Sequence, residues 1–258
     1  SLLQRAGLQV DVGLLEQEAT RLIAPFRMLM MSKRPWMIAK WAMTLDGSLT
    51  LPLASTNGSE EHLQHQWISS EISRAVVHDL RRRVDAIVIG VQTALTDDPL
   101  LTARPSGLRP LVRVVLDRQA RLPVRSRLVQ TAHEHPVLVA VGPNAAEDQI
   151  SLLRDNGCEV WRSSTDQSSQ MLLELAREFG VRQMTNVLVE GGTRVLESYF
   201  QADIIDEVWA FLAPKLFNAN EPSLRLREFL ASMTIEAIDQ TGGDLFVRGL
   251  RRHHSLGR

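Results

Sequence analysis

Short apolar runs alternate with amphipathic stretches along most of the chain. The run Ala86-Ile87-Val88-Ile89-Gly90 has no polar side chain, as is usual for strands that are buried on both faces of a parallel sheet. Runs of this kind predict strands at 36–42, 86–90, 111–116, 137–141, 158–162, 186–190 and 206–212. Apolar residues at helical spacing predict helices at 14–31, 69–83, 145–156, 167–180 and 192–202, with Ser69 or Ser70 as the cap of the second.

The C-terminal part has a different pattern. Two strand-like stretches, 234–238 and 245–250, flank Gly242-Gly243, which predicts a β-hairpin. Strands that alternate with helices form parallel sheets with helices on both faces, so we predict an α/β fold of three layers. Its central sheet is mostly parallel and finishes in an antiparallel hairpin. No repeat or low-complexity linker interrupts the pattern, which predicts a connector helix region at 1–34 and one domain at 35–258.

Composition excludes several classes of partner. The formal net charge of the 258 residues is -1, so no basic field predicts binding to nucleic acid or to an anionic membrane. No apolar stretch approaches the roughly 20 residues of a membrane span. The single cysteine, Cys158, rules out an internal disulfide and fits a cytosolic compartment. The histidines have no supporting cysteine pair, so we predict no metal site.

Candidate chemistry gathers where predicted strands end. In an open α/β sheet, ligands bind at the carboxyl ends of the strands. Lys40 is the one charge in strand 36–42, and it is either a site residue or an exposed lysine at a strand end. Glu190 follows strand 186–190 and either faces a ligand or caps the next helix. Gly191-Gly192 forms either a plain tight turn or a phosphate-binding turn with bare backbone N–H groups.

Two further polar clusters have simple structural interpretations. Arg81, Arg82 and Arg83 lie where a helix should end, and cations are favourable there because of the helix dipole. Asp97-Asp98-Pro99 has the composition of a turn. Two adjacent carboxylates are weak evidence for magnesium without further oxygen ligands.

Four segments taken together carry a resemblance. They are KWAMTLDGS, QWISS, VHDLRRRVDAIVIGVQTALTDDPLLTARP and NVLVEGGTRVLESYFQADIIDEVWAFLAPKL, in that order. This combination resembles the pyrimidine reductase of riboflavin biosynthesis, the reductase half of a bifunctional deaminase–reductase, over about 35–249. The stretch AGLQVDVGLLEQEATRLIAPF is similar to the connector between the two halves, whereas the zinc signature of the deaminase is absent. The resemblance therefore implies the reductase portion, cropped or standing alone.

The resemblance also implies a fold and partners. The family's fold is similar to that of dihydrofolate reductase, so the expected sheet is of that kind. NADPH is the implied cofactor, and a phosphorylated pyrimidine is the implied substrate. A homodimer is expected, and a deaminase, fused or separate, is a further implied partner. Neither nucleic acid nor a membrane is expected as a partner.

The family's chemistry implies roles for individual residues. NADPH reduces the opened ribosyl group at C1′ to the ribitylamino product, and Lys40 and Glu190 are implied as the catalytic pair. Four positions match substrate contacts: Arg81, Leu100, Arg104 and His65. The remaining matches lie on the cofactor side: Ala42, Trp67, Thr93, Asp97, Arg118, Gly191, Gly192, Thr193, Arg194, Val195, Leu196, Glu197 and Ser198.

Three departures from the family pattern leave alternatives open. The loop 47–67 is longer than usual, and His65 stands where serine is common. Arg118 replaces a small polar residue and either pairs with the 2′-phosphate of NADP or is a solvated turn residue. Residues 216–219 lack the usual glycines. The competing hypotheses are a reductase acting on the undeaminated pyrimidine or on a folate, and a non-catalytic nucleotide-binding relic.

Overall fold

The computed structural model describes residues 2–49, 68–107, 109–216 and 224–251, with side chains described from 228 in the last range. Within them lie the strands β1 Trp36–Thr44, β2 Ala86–Gly90, β3 Val112–Leu116, β4 Val137–Val141, β5 Glu159–Arg162, β6 Asn186–Val189, β7 Glu207–Ala213, β8 Thr234–Thr241 and β9 Asp244–Leu250. The helices are α1 Leu2–Arg5, α2 Glu16–Leu22, α3 Ala24–Ser32, α4 Glu71–Arg81, α5 Val91–Asp97, α6 Arg127–Gln130, α7 Glu147–Asp155, α8 Ser168–Val181, α9 Thr193–Gln201 and α10 Leu224–Ser232. None of the helices in these ranges is long and apolar enough to cross a bilayer.

All nine strands form one sheet in the order β5-β4-β3-β2-β6-β1-β7-β9-β8. The pairs from β5 to β7 are parallel, and β9 pairs antiparallel with both β7 and β8. The predicted architecture, a mostly parallel sheet with an antiparallel C-terminal hairpin, is therefore confirmed. Because β6 lies between β1 and β2, the chain crosses over here, and the carboxyl ends of these central strands share one edge.

Successive side chains of β1 point alternately into two hydrophobic cores, one on each face of the sheet. Met37, Ala39 and Trp41 face one side of the sheet, where they pack with α8 and α9. Trp36 and Ile38 face the other side, where α4 and α7 contribute apolar residues. Successive side chains of a strand point to opposite faces, so this alternation makes three layers. The two cores fix which side of the sheet each site residue faces.

The N-terminal region differs from its prediction as one helix at 14–31. Two helices, α2 and α3, meet at Ile23, whose φ of -95° and ψ of 2° are not helical. Pro25 lies in the first turn of α3, where its missing N–H is tolerated and its ring favours a new start. α2 buries no residue, whereas α3 buries Met28 and Leu29. Apolar periodicity alone did not reveal this break.

The predicted hairpin is confirmed and has a role in placing α4. Gly242 and Gly243 form its two-residue turn with φ of 59° and 92°, values that favour glycine. Directly after the turn, the buried carboxylate of Asp244 accepts hydrogen bonds from the Ser70 backbone (2.7 Å) and from Ser73 Oγ (2.6 Å). Ser70 also caps α4 by accepting from the Ser73 backbone at 3.2 Å. The hairpin therefore holds the start of the helix whose other end reaches the candidate site.

Candidate active site

Lys40 and Glu190 lie side by side at the carboxyl edge of the sheet. Ala39 of β1 pairs with Val189 of β6, and both of these face the core of α8 and α9. The next residue along each strand therefore points to the other face, towards the end of α4. β1 continues to Thr44, so Lys40 is within the strand and partly buried. The interpretation of Lys40 as an exposed strand-end lysine is wrong.

Glu190 is held by Arg81 through two parallel hydrogen bonds. Arg81 Nε donates to Glu190 Oε1, and Arg81 Nη2 donates to Oε2, each at 2.8 Å. The side chains are only 16% and 8% exposed. Burial by itself raises the pKa of Glu190, but the charge and hydrogen bonds of Arg81 and the charge of Lys40 outweigh it and hold that pKa below its usual range. The carboxylate is therefore ionised at neutral pH.

This ion pair corrects two structural interpretations. Glu190 does not cap the following helix, because the N-cap of α9 is Gly192 and no side chain caps it. Of the three arginines at the end of α4, Arg82 and Arg83 pair with Asp79 on the surface, as expected of a helix terminus. Arg81 instead turns into the sheet edge and binds Glu190. The structure thus separates one site arginine from two surface arginines that the sequence had grouped.

Lys40 lacks such a partner. In the described ranges its ammonium makes no ion pair within 4.0 Å, and its recorded contact is the face of the Phe211 ring, 5.9 Å from the ring centre. Burial lowers the pKa of Lys40, Glu190 opposes that shift, and Arg81 adds to it. An ammonium that is desolvated and unpaired is unusual unless it serves a ligand. Its lowered pKa makes it a better proton donor than an exposed lysine.

The segment 98–104 carries Leu100 and Arg104, and a hydrogen bond from Arg113 holds its backbone. Arg113 of β3 is fully buried, and its Nη1 donates to the Leu100 carbonyl at 3.1 Å and to Thr131 Oγ1 at 2.8 Å. Arg113 Nη2 bonds the carbonyls of Thr131 and His135. Burial lowers the pKa of Arg113 to about 10. A buried guanidinium spanning two loops thus holds the backbone of a predicted substrate contact.

The predicted turn at Asp97-Asp98-Pro99 is partly wrong. A helix that the sequence did not suggest, α5, starts directly after β2 and includes both Thr93 and Asp97. The chain turns only at Asp98, the C-cap, which has a left-handed φ of 37°. Asp98 Oδ1 accepts the Arg127 backbone N–H at 2.8 Å, which anchors the turn. Asp97 is exposed at the end of α5.

The start of α9 approaches the end of β2 closely. A Cβ on Gly191 would lie 2.4 Å from Val195 Cβ, and one on Gly90 would lie 2.7 Å from Val195 Cγ2. Both glycines are therefore required for packing. Gly192 is different: it is exposed, and a Cβ there would make only an ordinary contact, 3.6 Å from Thr93 Oγ1. Thr93 and Gly192, both expected on the cofactor side, thus lie together.

The first turn of α9 fits an anionic group. Its nine residues begin at Thr193, and the N-cap Gly192 provides no side-chain cap, so backbone N–H groups of that turn are left for another acceptor. The exposed Gly192 keeps side chains away from them. The side chain of Leu196, by contrast, is 1% exposed and packs in the core, so only its backbone could contact a cofactor. Ser198 Oγ donates to the Arg194 carbonyl at 2.8 Å, which leaves its hydroxyl engaged within the helix.

The other predicted positions have mixed outcomes. Ala42 lies two residues beyond Lys40 and on the same face of β1. Arg118 is half-exposed, with its Nη2 3.7 Å from Asp166 Oδ1, which leaves both interpretations of this arginine open. His65 and Trp67 lie outside the described residues, as do 217–219 of the glycine-poor segment.

Comparison of the sequence with known protein families identifies the family of this chain. The sequence pattern of the family described as the RibD C-terminal domain matches residues 35–247 of this chain. The chain belongs to the RibD C-terminal domain family. The resemblance found from the four motifs is thereby confirmed, and the edge just described lies within the matched domain. A reductase of this family implies a nicotinamide cofactor.

Individual relatives agree with the family. The riboflavin biosynthesis protein RibD of Aquifex aeolicus is 31% identical over 251 residues, which cover 95% of this chain and 66% of that protein. A 2,5-diamino-6-ribosylamino-4(3H)-pyrimidinone 5′-phosphate reductase of Methanothermobacter thermautotrophicus is 31% identical, with 87% of this chain and 94% of that protein covered. The chain spans less than two thirds of the length of the RibD relatives that it matches.

A solved structure supports the fold. The deaminase/5-amino-6-(5-phosphoribosylamino)uracil reductase of Thermotoga maritima superposes with a TM-score of 0.71 at 24% identity, covering 97% of this chain and 66% of that one. The expected dihydrofolate reductase-like fold is therefore confirmed. This likeness is one of backbone architecture, and it assigns no side chain a role.

The structure adds two residues to the site that sequence reasoning missed. His78 lies on α4 one turn before Arg81, and Arg113 supports the Leu100 backbone from β3. The signal for His78 was its spacing of three residues from Arg81, which puts both on one helix face. Arg113 had a weaker signal, a lone charge in the apolar run 111–116.

Proposed function

We propose that this chain catalyses the NADPH-dependent reduction of the ribosyl group of 5-amino-6-(5-phosphoribosylamino)uracil. The observation that supports this most directly is the unpaired, desolvated Lys40 beside the Arg81–Glu190 ion pair. The uncapped start of α9 lies at the same carboxyl edge. A proton donor, a fixed carboxylate and an anion-binding turn are what a reductase of a phosphorylated sugar derivative needs.

In this proposal Lys40 assists the opening of the ribose ring. The C1′–O4′ bond breaks, the exocyclic nitrogen forms a double bond to C1′, and O4′ takes a proton from the Lys40 ammonium. NADPH supplies the hydride that C1′ then accepts, which leaves the ribitylamino product. The lowered pKa of Lys40 favours the proton transfer, because burial disfavours its charged form. Substrate, hydride and one proton balance the product.

Glu190 and the arginines hold the substrate in place. The Glu190 carboxylate accepts hydrogen bonds from the amino and ring N–H groups of the pyrimidine, and Arg81 keeps it ionised and oriented. Arg104, on the segment anchored by Arg113, is exposed and able to reach the 5′-phosphate. The first turn of α9 would hold the cofactor's diphosphate, and Arg118 would hold its 2′-phosphate.

A second substrate has support of its own. The match with this chain covers 94% of the Methanothermobacter relative. That relative is named for reduction of the diamino pyrimidinone, the compound before deamination. Oxidation of NADPH by the purified chain, followed at 340 nm with each pyrimidine separately, distinguishes the two. Faster reduction of the uracil compound supports our first choice, and faster reduction of the diamino compound supports the second. Reduction of neither contradicts both and leaves the nucleotide-binding relic.

The proposal includes a homodimer, which the resemblance implies. Light scattering of the purified chain measures this directly. Twice the mass of one chain is the expected result, and the mass of a single chain contradicts it.

A further inference from the structure

His78 has one polar atom in the site that no described residue uses. It lies three residues before Arg81, so the two side chains occupy one face of α4. Its Nδ1 is buried and has no hydrogen-bond partner in the described part of the chain. Buried polar atoms are satisfied in the great majority of cases, so an unsatisfied one beside a binding site calls for a partner.

The Thr102 backbone bears on the other ring nitrogen of His78. The backbone of Thr102 acts on the ring and raises the pKa of His78. This interaction favours the protonated ring, which is the effect of a carbonyl acceptor. Since Nδ1 has no hydrogen-bond partner among the described residues, we assign the nitrogen that faces the Thr102 carbonyl as Nε2. On this assignment the proton is on Nε2, and Nδ1 presents a lone pair.

The charges around the ring keep it neutral. Burial lowers the pKa of His78, and the positive charges of Arg81 and Arg104 lower it further, while Glu190 and the Thr102 backbone act in the opposite direction. A neutral imidazole with Nε2–H is an acceptor at Nδ1. This arrangement also shows that Arg104, which sequence alone could not place, lies close enough to act on the Arg81 side of the site.

We propose that Nδ1 of His78 accepts a hydrogen bond from a hydroxyl of the substrate's ribosyl chain. The inference deepens the function proposed above and rests on it. The positive charges of Arg81 and Arg104, which both act on this ring, suit an anion, and a sugar hydroxyl is the donor adjacent to a 5′-phosphate. His78 is then a substrate contact in addition to those that the family resemblance implies.

Two conservative variants separate this role from a structural one. In His78→Asn, the side-chain amide occupies the place of Nδ1; in His78→Gln, it reaches the place of Nε2 and can still donate to Thr102. The expected result is a rise of about tenfold in the KM for the pyrimidine in His78→Gln, the loss of one hydrogen bond to a ligand. His78→Asn should retain a KM close to that of the unmodified chain, and the KM for NADPH should stay constant in both. A loss in His78→Asn alone, equal losses, or no change in either overturns the proposal.

A spectroscopic measurement tests the contact without turnover. Nitrogen-15 spectra of the whole chain should show a non-protonated Nδ1 for His78, and its signal should shift when the ribitylamino product is added. His133, which is exposed and far along the chain, is the matched control and should not shift. A protonated Nδ1, or an unmoved signal while product binds, overturns the inference. Failure of the unmodified chain to bind product or reduce either pyrimidine contradicts the proposed function instead.

Discussion

Two buried charged clusters lie at opposite ends of the same central strands. At the amino end of β7, Asp206 receives both guanidinium nitrogens of Arg34 at 2.6 and 2.8 Å and the Met37 backbone N–H at 2.8 Å. At the carboxyl end of β6, Arg81 donates two hydrogen bonds to the Glu190 carboxylate in the same bidentate geometry. The arginine side chains are 17% and 16% exposed, so burial does not distinguish the two ends.

The difference lies in how completely each cluster is satisfied. Glu207, next to Asp206, accepts from the indoles of Trp36 and Trp209 at 2.9 and 2.6 Å and from Arg248 Nε at 2.6 Å. Both carboxylates at the amino end therefore have donors for each oxygen. At the carboxyl end, among the described residues, the Lys40 ammonium has no ion-pair partner and lies over the Phe211 ring, and the His78 Nδ1 has no hydrogen-bond partner. A closed network stabilises the fold, whereas an open one is prepared for a ligand.

The largest effect is expected from Lys40→Met. Removing a general acid typically lowers a rate by about 10²- to 10⁴-fold, so kcat should fall by that amount. Stability should stay constant or rise, because the substitution removes a desolvated charge and keeps an unbranched chain. Reduction assays and thermal unfolding together measure this. An active Lys40→Met protein, or one that unfolds at a much lower temperature, contradicts the comparison.

The two arginine clusters offer a matched pair of variants. Arg81→Met and Arg34→Met each remove the guanidinium that pairs with a buried carboxylate, and each should destabilise the fold by about 3 kcal/mol. Only Arg81→Met should also lower kcat/KM, by about a hundredfold, because Glu190 then loses its charge and orientation. Chemical denaturation and steady-state kinetics compare them. Equal loss of activity in both variants would show that instability, not the site, is responsible.

The adjacent glycines should respond differently to one added methyl group. Gly191→Ala places a Cβ 2.4 Å from Val195 and should destabilise the fold by about 1–3 kcal/mol, the range for overpacking. Gly192→Ala has room in the fold and should leave the unfolding temperature unchanged. It should instead weaken NADPH binding about tenfold if a diphosphate rests on this turn. Thermal unfolding of each variant checks the stabilities, and calorimetry of NADPH binding checks the affinities. A Gly192→Ala chain with normal affinity contradicts the placement.

The smallest effect concerns pH. Burial lowers the pKa of Lys40 below its ordinary value of 10.5, so the folded chain loses this proton before the unfolded chain does. Stability should therefore rise slightly between the lowered pKa and 10.5, while kcat falls over the same range as the proton donor is lost. Glu190 has a depressed pKa, so its stabilising contribution is present above 4.5 and is lost as pH falls through the depressed value. A Lys40→Met chain lacks the basic effect, which identifies its source.

Periodicity predicted most of the sheet and less of what surrounds it. Buried strands such as 86–90 and 137–141 have the predicted bounds because a continuous apolar run must be buried on both faces. The helix α5 was missed because it follows β2 directly, with Gly90 as its N-cap and no polar side chain to cap it. Predicted strand ends placed Lys40 and Glu190 at one edge, since parallel strands share their carboxyl ends.

Side-chain partners could not be predicted in the same way. Which of three consecutive arginines turns inward depends on where α4 ends relative to β6, and tertiary packing decides that. Likewise, the contact of Arg113 with the Leu100 carbonyl joins residues whose loop conformation follows no local pattern. Family resemblance supplied the substrate and cofactor positions, and those roles remain predictions.

The hydrogen bonds between Asp244 and the start of α4 have a consequence for synthesis of the chain. Ser70 and Asp244 are 174 residues apart in the sequence. The strands that pair with β1, which are β6 and β7, also leave the ribosome much later than β1 does. Domains fold as their residues emerge, so the start of α4 lacks its hydrogen bonds to Asp244 until the final hairpin is made. A nascent chain arrested before the hairpin should be open to protease at α4 and unable to bind its nucleotide. The reductase site is thus among the last parts of the protein to become complete.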